Sequence, residues 1–454
     1  MRSLRLVQRA SALAAGAALL LAVRGSAAPD PRFDGRGDAQ ASSAAEAAPV
    51  APAAPKASEI DERLWVVLAA KDAAERSTVA NAGVSIEELR PGTVGGFATP
   101  RALARAKAAG VRVISADPLS QKVSKLSFPS EDSAYHTYDQ TVALLRELAA
   151  KAPDIASLYS IGTTTQGRQM WALRLCADAK GDAVSKLPGA LFLGTHHARE
   201  HLSNEVPLLL AQKLVESRGD ADVAKLLKGR DVIIVPMVNP DGAEYDVSGD
   251  KYHMHRKNMR DNGDGSLGVD LNRNYGFHWG EGGASEDTND ETYRGPSAFS
   301  EPETKAMKAF IEAHANVKVL ISYHTFSELV LYPWGHTNDP IDDKGALAAY
   351  QAMAAEMGRM TGYTPEQSSA LYIASGDLTD WSWGARGIYS FTFEMMPKSM
   401  WDGGFYPGPT AIASSVQANW RPMLYLIDLA DDPARAGRGG ASAFASVRTP
   451  EVVQ

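Results

Sequence analysis

The stretch Ala190-Leu191-Phe192-Leu193-Gly194-Thr195-His196-His197-Ala198-Arg199-Glu200-His201 decides how the rest of the chain is understood. Its first half is a short apolar run stopped by Gly194 and Thr195, the pattern of a buried strand that delivers its last residues into a loop. Its second half sets His197 and Glu200 three positions apart, an imidazole and a carboxylate that could turn toward one divalent metal. The pair alone makes no site. A His-x-x-Glu recurs by chance at ordinary composition, and an exposed polar loop accounts for it equally well. A catalytic zinc takes three protein ligands and keeps one position open. The remaining chain must supply a third ligand, a base and a grip on substrate.

Similar apolar runs lie on both sides, at 155–159, 170–175, 232–236, 317–322 and 390–393. Helical periodicity covers 137–152 and 205–217, the latter with Pro207 expected in the first turn, where proline is tolerated. Strands alternating with helices, several of them continuous Val/Ile/Leu runs, predict an α/β fold. Its centre would be a mixed, largely parallel sheet with helices on both faces. In such sheets, sites lie in loops beyond the carboxyl ends of strands.

Of the 454 residues, 44% are hydrophobic and 22% charged, as in ordinary soluble globular chains. A net charge of −8 leaves no basic excess to neutralise phosphates, which argues against nucleic-acid and anionic-membrane partners. The single cysteine, Cys176, excludes an intramolecular disulfide and a cysteine-rich metal site, and fits a small core residue. Arg2, Arg5 and Arg9 precede an apolar run at 10–23 and then Gly25-Ser26-Ala27-Ala28, a pattern that predicts a signal peptide over 1–27. That run is short for a membrane span, and no cysteine follows it to carry a lipid. An exported protein without a membrane anchor, periplasmic or extracellular, is expected. Residues 28–57 are Ala- and Pro-rich and predict a disordered linker. At 58–118, strands and helices alternate as in a small open-sheet α+β unit. A second linker at 119–133 is a plausible cleavage target, 134–432 is the large α/β unit, and 433–454 predicts a mobile tail.

Polar residues collect after strands. The run at 317–322 continues through Tyr323 into His324, which with His197 and Glu200 makes a His₂Glu set, a known open zinc arrangement. Two neutral ligands and one carboxylate leave the site at about +1, electrophilic enough to acidify a water. The strand at 390–393 ends in Glu394, between aromatics and Met395-Met396. A partly desolvated carboxylate there suits a general base, with a structural salt bridge as the alternative. Arg256-Lys257 and Asp270-Leu271-Asn272-Arg273-Asn274 could grip a carboxylate or hold an oxyanion, although a solvated charged loop has the same composition. The acidic loops 261–265 and 286–291 offer hard oxygen ligands to calcium, plain turns being the simpler explanation.

Seven motifs now stand in order: His-Ala-Arg-Glu at 197–200, Val-Asn-Pro-Asp-Gly at 238–242, Val-Asp-Leu-Asn-Arg-Asn at 269–274, Tyr-Arg-Gly-Pro at 293–296, Tyr-His-Thr at 323–325, Tyr-Pro-Trp-Gly at 332–335 and Phe-Thr-Phe-Glu at 391–394. Together they resemble the zinc metallocarboxypeptidases of the A/B/T type, in a secreted, bacterial-like form with a pro-segment. The resemblance implies one Zn²⁺ held by His197, Glu200 and His324, with Asp270 orienting His197 from behind. Glu394 would be the general base and Arg256 the group that polarises the scissile carbonyl. Asn272 and Arg273 would bind the free C-terminal carboxylate, Arg199 would be a secondary carboxylate contact, and Tyr372 would close over substrate.

The implied reaction is hydrolysis of the C-terminal peptide bond of peptides and proteins by a metal-activated water. Asp377 and Thr379 stand near where the family sets its side-chain choice. Thr379 is neutral and Asp377 could attract Lys or Arg, so apolar residues with some acceptance of basic ones are expected. Trimming of cell-wall (murein) peptides by the same residues is the alternative. A catalytically dead binding protein fits less well, because neither a ligand nor the base is missing. His196 and His201 are expected to support the loop, and His253 and His255 to line the groove. By position and element order only, the unit at 58–118 resembles an inhibitory pro-segment that an activating protease would release; a binding module is the alternative. A monomer is expected.

Overall fold

The computed structural model describes residues 63–119, 132–249, 251–440, 442 and 444. The expected signal peptide, the linker at 28–57 and nearly all of the second linker lie outside these residues. The described chain begins with a small sheet of four strands, β1 (Leu64–Ala69), β2 (Ser85–Arg90), β3 (Thr93–Ala98) and β4 (Val113–Pro118). They pair antiparallel in the order β2-β3-β1-β4, with α1 (Ala73–Asn81) and α2 (Pro100–Ala108) in the crossovers. Asp72 and Thr99 start the two helices by accepting the amides of Glu75 and Ala102. Val66, Leu68, Val79, Ala102, Leu103 and Ala106 pack between helices and sheet. Elements fall where the sequence pattern puts them, except that β4 continues to Pro118 because its backbone stays paired with β1 to the Leu64–Pro118 register.

The larger sheet follows. Its elements are α3 (Tyr138–Lys151), β5 (Ala156–Thr163), β6 (Gln169–Leu175), β7 (Gly189–Leu193), α4 (Leu202–Glu216), α5 (Ala221–Gly229), β8 (Asp231–Val235) and α6 (Pro240–Asp246). Then come α7 (Pro302–Ala313), β9 (Val317–Thr325), β10 (Leu329–Tyr332), α8 (Lys344–Thr361), β11 (Thr364–Gln367), α9 (Leu378–Arg386), β12 (Tyr389–Met395) and α10 (Thr410–Leu429). The strand order is β11-β10-β12-β9-β7-β8-β6-β5. The four central strands β12, β9, β7 and β8 run parallel, and antiparallel neighbours flank them on both sides. This is the expected mixed α/β sheet. Phe192, Ile234, Ile321 and Phe391 face one core, while Leu191, Leu193, Ile233 and Leu320 face the other. Helices cover both faces, which is why the central strands are apolar throughout rather than alternating. No helix among the described residues is long and apolar enough to cross a membrane.

Several expectations need correction. Pro207 is the sixth residue of α4, beyond the first turn, and so removes an intrahelical bond. Burial of Leu208, Leu210 and Leu214 offsets that loss. Residues 433–440 do not behave as a loose tail. Pro433–Arg438 forms a short 3-10 turn, and Arg435 pairs with Asp428 and Asp431, both at 2.8 Å. Gly437 approaches α8 so closely that a Cβ would lie 2.7 Å from the Ala349 amide. The described residues of both sheets fall within one compact unit. Strands β10 and β11 were not anticipated, each being four residues long; β11 is the edge strand Thr-Pro-Glu-Gln, and β10, the short apolar run Leu-Val-Leu-Tyr, pairs between it and β12.

The turn after β7 positions everything downstream. A Cβ on Gly194 would sit 1.8 Å from the Ser203 carbonyl oxygen, so only glycine lets α4 start this close to the strand end. Thr195, with φ of 55°, then reverses the chain, its amide donating to Ser203 Oγ at 2.9 Å. Gly194→Ala should therefore lower stability by about 1–3 kcal/mol in urea titration and reduce bound zinc. Gly219→Ala, with nothing within 4 Å of its Cβ, should stay within about 0.5 kcal/mol of wild type.

Candidate metal centre

Three strand ends meet above the carboxyl side of the large sheet. The loop after β7 brings His197 and Glu200, and β9 brings His324. His197 Nδ1 lies 2.6 Å from Glu200 Oε1, His324 Nδ1 lies 3.0 Å from Glu200 Oε2, and the two nitrogens are 3.2 Å apart. All three residues are buried, and they are the one such metal-capable group among the described residues. Separations of this size resemble the edges of a tetrahedral shell with zinc–nitrogen bonds of about 2.0–2.1 Å. Each imidazole is supported on its far side. His197 Nε2 lies 3.2 Å from Asp270 Oδ1, at ion-pair distance without hydrogen-bond alignment, and His324 Nε2 lies 3.0 Å from Ser322 Oγ. Such backing fixes tautomer and ring orientation in metal-binding histidines, so the donor set fits Zn²⁺.

The neighbouring histidines are engaged elsewhere. His196 Nε2 lies 2.9 Å from the Tyr275 hydroxyl and its Nδ1 3.3 Å from Ser322 Oγ. His201 Nε2 pairs with Asp246 Oδ2 at 2.8 Å. His253 and His255 do not line the groove as expected. They pack on Tyr245, and their Nε2 atoms meet the carbonyls of Ser248 and Asn258. Both hold the loop that leads into Arg256.

The parallel register of β12 on β9 sets Glu394 directly beside His324. Burial and then the charges of Glu200 and Glu87 push the Glu394 carboxyl well above the usual range. For Glu200, burial also works upward, but His197 and His324 outweigh it and hold the carboxyl low. Burial opposes ionisation of Asp270 as well, and Arg256 and His197 more than offset it. Arg256 donates from Nε to Asp270 Oδ2 at 3.0 Å. His197, Glu200, Arg256 and Glu394 line a cleft of about 830 Å³, open mouth included.

The cleft continues to Asn272, Arg273, Tyr372, Asp377 and Thr379. Asp270 caps the short turn Leu271–Arg273 by accepting the Asn272 amide at 3.0 Å, and Asn272 Oδ1 accepts the Leu378 amide at 3.0 Å. Arg273 is fixed by bonds to the carbonyls of Gly283 at 3.1 Å and Asn272 at 2.8 Å. Asp377 caps α9, its Oδ1 accepting the Asp380 amide at 2.9 Å and Thr379 Oγ1 at 2.6 Å. Burial first, and the nearby charge of Asp380 second, push Asp377 up to about 7.

Arg199 is placed differently from expectation. It does not line the cleft; its guanidinium lies between the rings of Phe97 and Phe405, 4.6 and 4.4 Å from their centroids. Its Nη2 donates to Glu87 at 2.8 Å and its Nη1 to Glu291 at 2.7 Å. The carboxylate it meets thus comes from the chain's own small sheet, whose Ile86, Glu87 and Leu89 also line the cleft. The acidic loop considered for calcium serves the same junction. Arg105 pairs with Asp287 and Asp290, and Arg63 with Glu291. On the opposite wall, Arg76 donates to the carbonyls of Ala370 and Leu371, and Ser77 Oγ accepts the Ile373 amide, so α1 brackets Tyr372. Glu87 and Ser322 carried no local signal in the sequence, and Glu291 only that of an acidic loop. Asp380 had a faint one, the acidic Asp-x-x-Asp start of a helix.

Comparison with known proteins agrees with this geometry. Residues 141–422 match the Peptidase_M14 zinc carboxypeptidase family. The chain is 32% identical over 380 residues to a zinc carboxypeptidase of Saccharothrix mutabilis subsp. capreolus, covering 79% of this chain and 87% of that one. It is 32% identical over 305 residues to carboxypeptidase A1 of Homo sapiens, covering 65% and 70% respectively. Its fold is similar to the crystal structure of carboxypeptidase A from Helicoverpa armigera, with a TM-score of 0.68 at 24% identity over 84% of this chain and 99% of that one. The match contains the His-Glu-His cluster, the cleft arginines and Glu394, and the chain belongs to the zinc carboxypeptidase family.

Proposed function

We propose that this protein hydrolyses the C-terminal peptide bond of peptides and proteins, and that its small N-terminal sheet holds it inactive until removed. One observation carries the first part: a single cleft is lined by His197 and Glu200 of the metal-capable cluster, by Glu394 and by Asn272-Arg273. Zinc bound by His197, Glu200 and His324 would acidify a water and polarise the scissile carbonyl. Glu394 takes a proton from the attacking water and passes it to the leaving amine; its raised affinity for a proton suits both transfers. Arg256, held rigid by Asp270, stabilises the developing oxyanion. Asn272 and Arg273 receive the free carboxylate of the substrate, which restricts cleavage to chain ends. Tyr372 closes over the bound residue. Asp377 and Thr379 lie in the pocket for the departing side chain, which favours apolar residues and admits basic ones.

The second part rests on Glu87. Its carboxylate lies in the cleft and engages Arg199, while Arg76 and Ser77 fix the segment carrying Tyr372. A protease cutting within 119–133 would release the block. The basic and apolar pattern of residues 1–28 supports an exported enzyme.

Glu394→Gln should keep one zinc per chain, measured by metal analysis, and lose about 10²–10⁴-fold in kcat; full activity in that variant refutes the mechanism. His324→Ala should lose the metal itself. Cutting the 119–133 segment should raise turnover of a C-terminal reporter peptide sharply, and Glu87→Ala should raise it partly without cutting. Unchanged turnover after cleavage would sink the inhibitory role. Among trimmed-enzyme assays on peptides ending in Phe, Leu, Arg and Asp, those ending in Asp should be poorest, and a strong preference for them would contradict the pocket assignment.

A further inference from the structure

We propose that the Asp377–Asp380 pair makes the side-chain pocket change preference with pH, taking basic C-terminal residues on the alkaline side of neutrality and apolar ones on the acid side. The proposal rests on the carboxypeptidase activity above and assigns a specificity role to Asp380, a residue that does not line the cleft.

The geometry separates the two carboxylates by what surrounds them. Asp380 is saturated with donors: the Gly335 amide at 2.9 Å from Oδ1, and the His336 amide and Nδ1 at 2.9 and 2.7 Å from Oδ2. It is fully buried among those partners. Asp377, three positions earlier, spends Oδ1 on the Asp380 amide and the Thr379 hydroxyl, and faces the cleft. The groups around it come from four places. Asp380 lies on its own helix, Arg273 on the turn at 271–273, the Tyr275 hydroxyl beyond that turn, and His336 on the loop after β10, reaching it through Asp380. Arg273 is a cation that acts on Asp377, and its Nε and Nη1 are committed to backbone carbonyls. Burial and Asp380 therefore outweigh Arg273, and a proton on Asp377 is retained near neutrality.

The two protonation states suit different side chains. A protonated Asp377 leaves the pocket uncharged, so an apolar residue enters without stranding a buried carboxylate. An ionised Asp377 is poorly solvated once such a residue fills the pocket, but a Lys or Arg side chain supplies a charge-assisted partner. Proton and basic side chain thus compete for one carboxylate, and each weakens the other by the same factor. The charge of Asp380 beside Asp377, second to burial, moves the exchange to higher pH.

The test uses the trimmed enzyme and two otherwise identical peptides ending in Arg or Leu, comparing kcat/KM from pH 5.5 to 8.5. Zinc, Glu394 and Arg256 act on both peptides, so their titrations cancel in the ratio. The Arg/Leu ratio should rise at least about tenfold between pH 6 and pH 8, the change in ionised fraction of a carboxyl titrating near neutrality, and up to about a hundredfold where the Leu peptide follows the protonated fraction in full. In Asp377→Asn the ratio should be low and flat, and in Asp380→Asn the rise should move to lower pH. A flat ratio in the wild-type enzyme, with both residues released, overturns the switch and leaves the peptidase activity standing. An unmoved midpoint in a folded Asp380→Asn, checked by its thermal transition, removes Asp380 from the account. Release of neither residue overturns the carboxypeptidase activity on which the proposal rests.

Discussion

One buried carboxylate, Asp270, ties the separate parts of the cleft together. Its Oδ1 lies 3.2 Å from His197 and accepts the Asn272 amide at 3.0 Å, while Oδ2 receives Arg256 Nε at 3.0 Å. A metal-capable histidine, an arginine and the turn carrying Arg273 thus share one anchor. Such an ion is costly to bury without partners, and here the Asn272 amide, the Arg256 guanidinium and the nearby His197 ring provide them. The requirement runs both ways. Arg256 is also buried, and without Asp270 it would lose its closest counter-charge. This mutual dependence explains why residues from three distant segments hold one geometry.

The sheet provides the second constraint. Strands β7, β9 and β12 are parallel neighbours, so their carboxyl ends lie at one edge and their loops must share one space. The register that sets Glu394 beside His324 is fixed by Phe391, Phe393, Ile321 and Tyr323, which are buried and could not slip by one residue without reversing faces. The relative position of the two polar residues therefore depends on the apolar pattern beneath them.

Those same apolar runs made the centre legible in the sequence. His197, Glu200, His324 and Glu394 each follow a strand signal, and the site loops of α/β sheets lie where such signals stop. What stayed hidden has tertiary causes. Glu87 sits in a strand of ordinary polar pattern, and only the packing of the small sheet on Phe405 brings it to Arg199. Strand β11 is a polar edge piece whose pairing is backbone-driven, and β10 between it and β12 is too short an apolar run to stand out. The residues after Pro433 have a tail-like composition, yet Arg435 finds Asp428 and Asp431, and small residues allow close approach to α8. His253 and His255 follow their loop's own hydrogen bonds rather than the groove.

Arg199 lies between two aromatic faces with a carboxylate at each end, and only one of those carboxylates, Glu291, belongs to the large sheet's side of the junction. Both terminal nitrogens of the guanidinium are engaged, and it is fully buried. Whatever reaches it from solution must displace Glu87, and with Glu87 goes the ring of Phe97 that covers it. Occupancy of this one arginine is therefore exclusive, and free energy gained by a ligand there is subtracted from the hold of the small sheet. A long peptide reaching Arg199 and a tightly seated sheet are alternatives written into a single side chain.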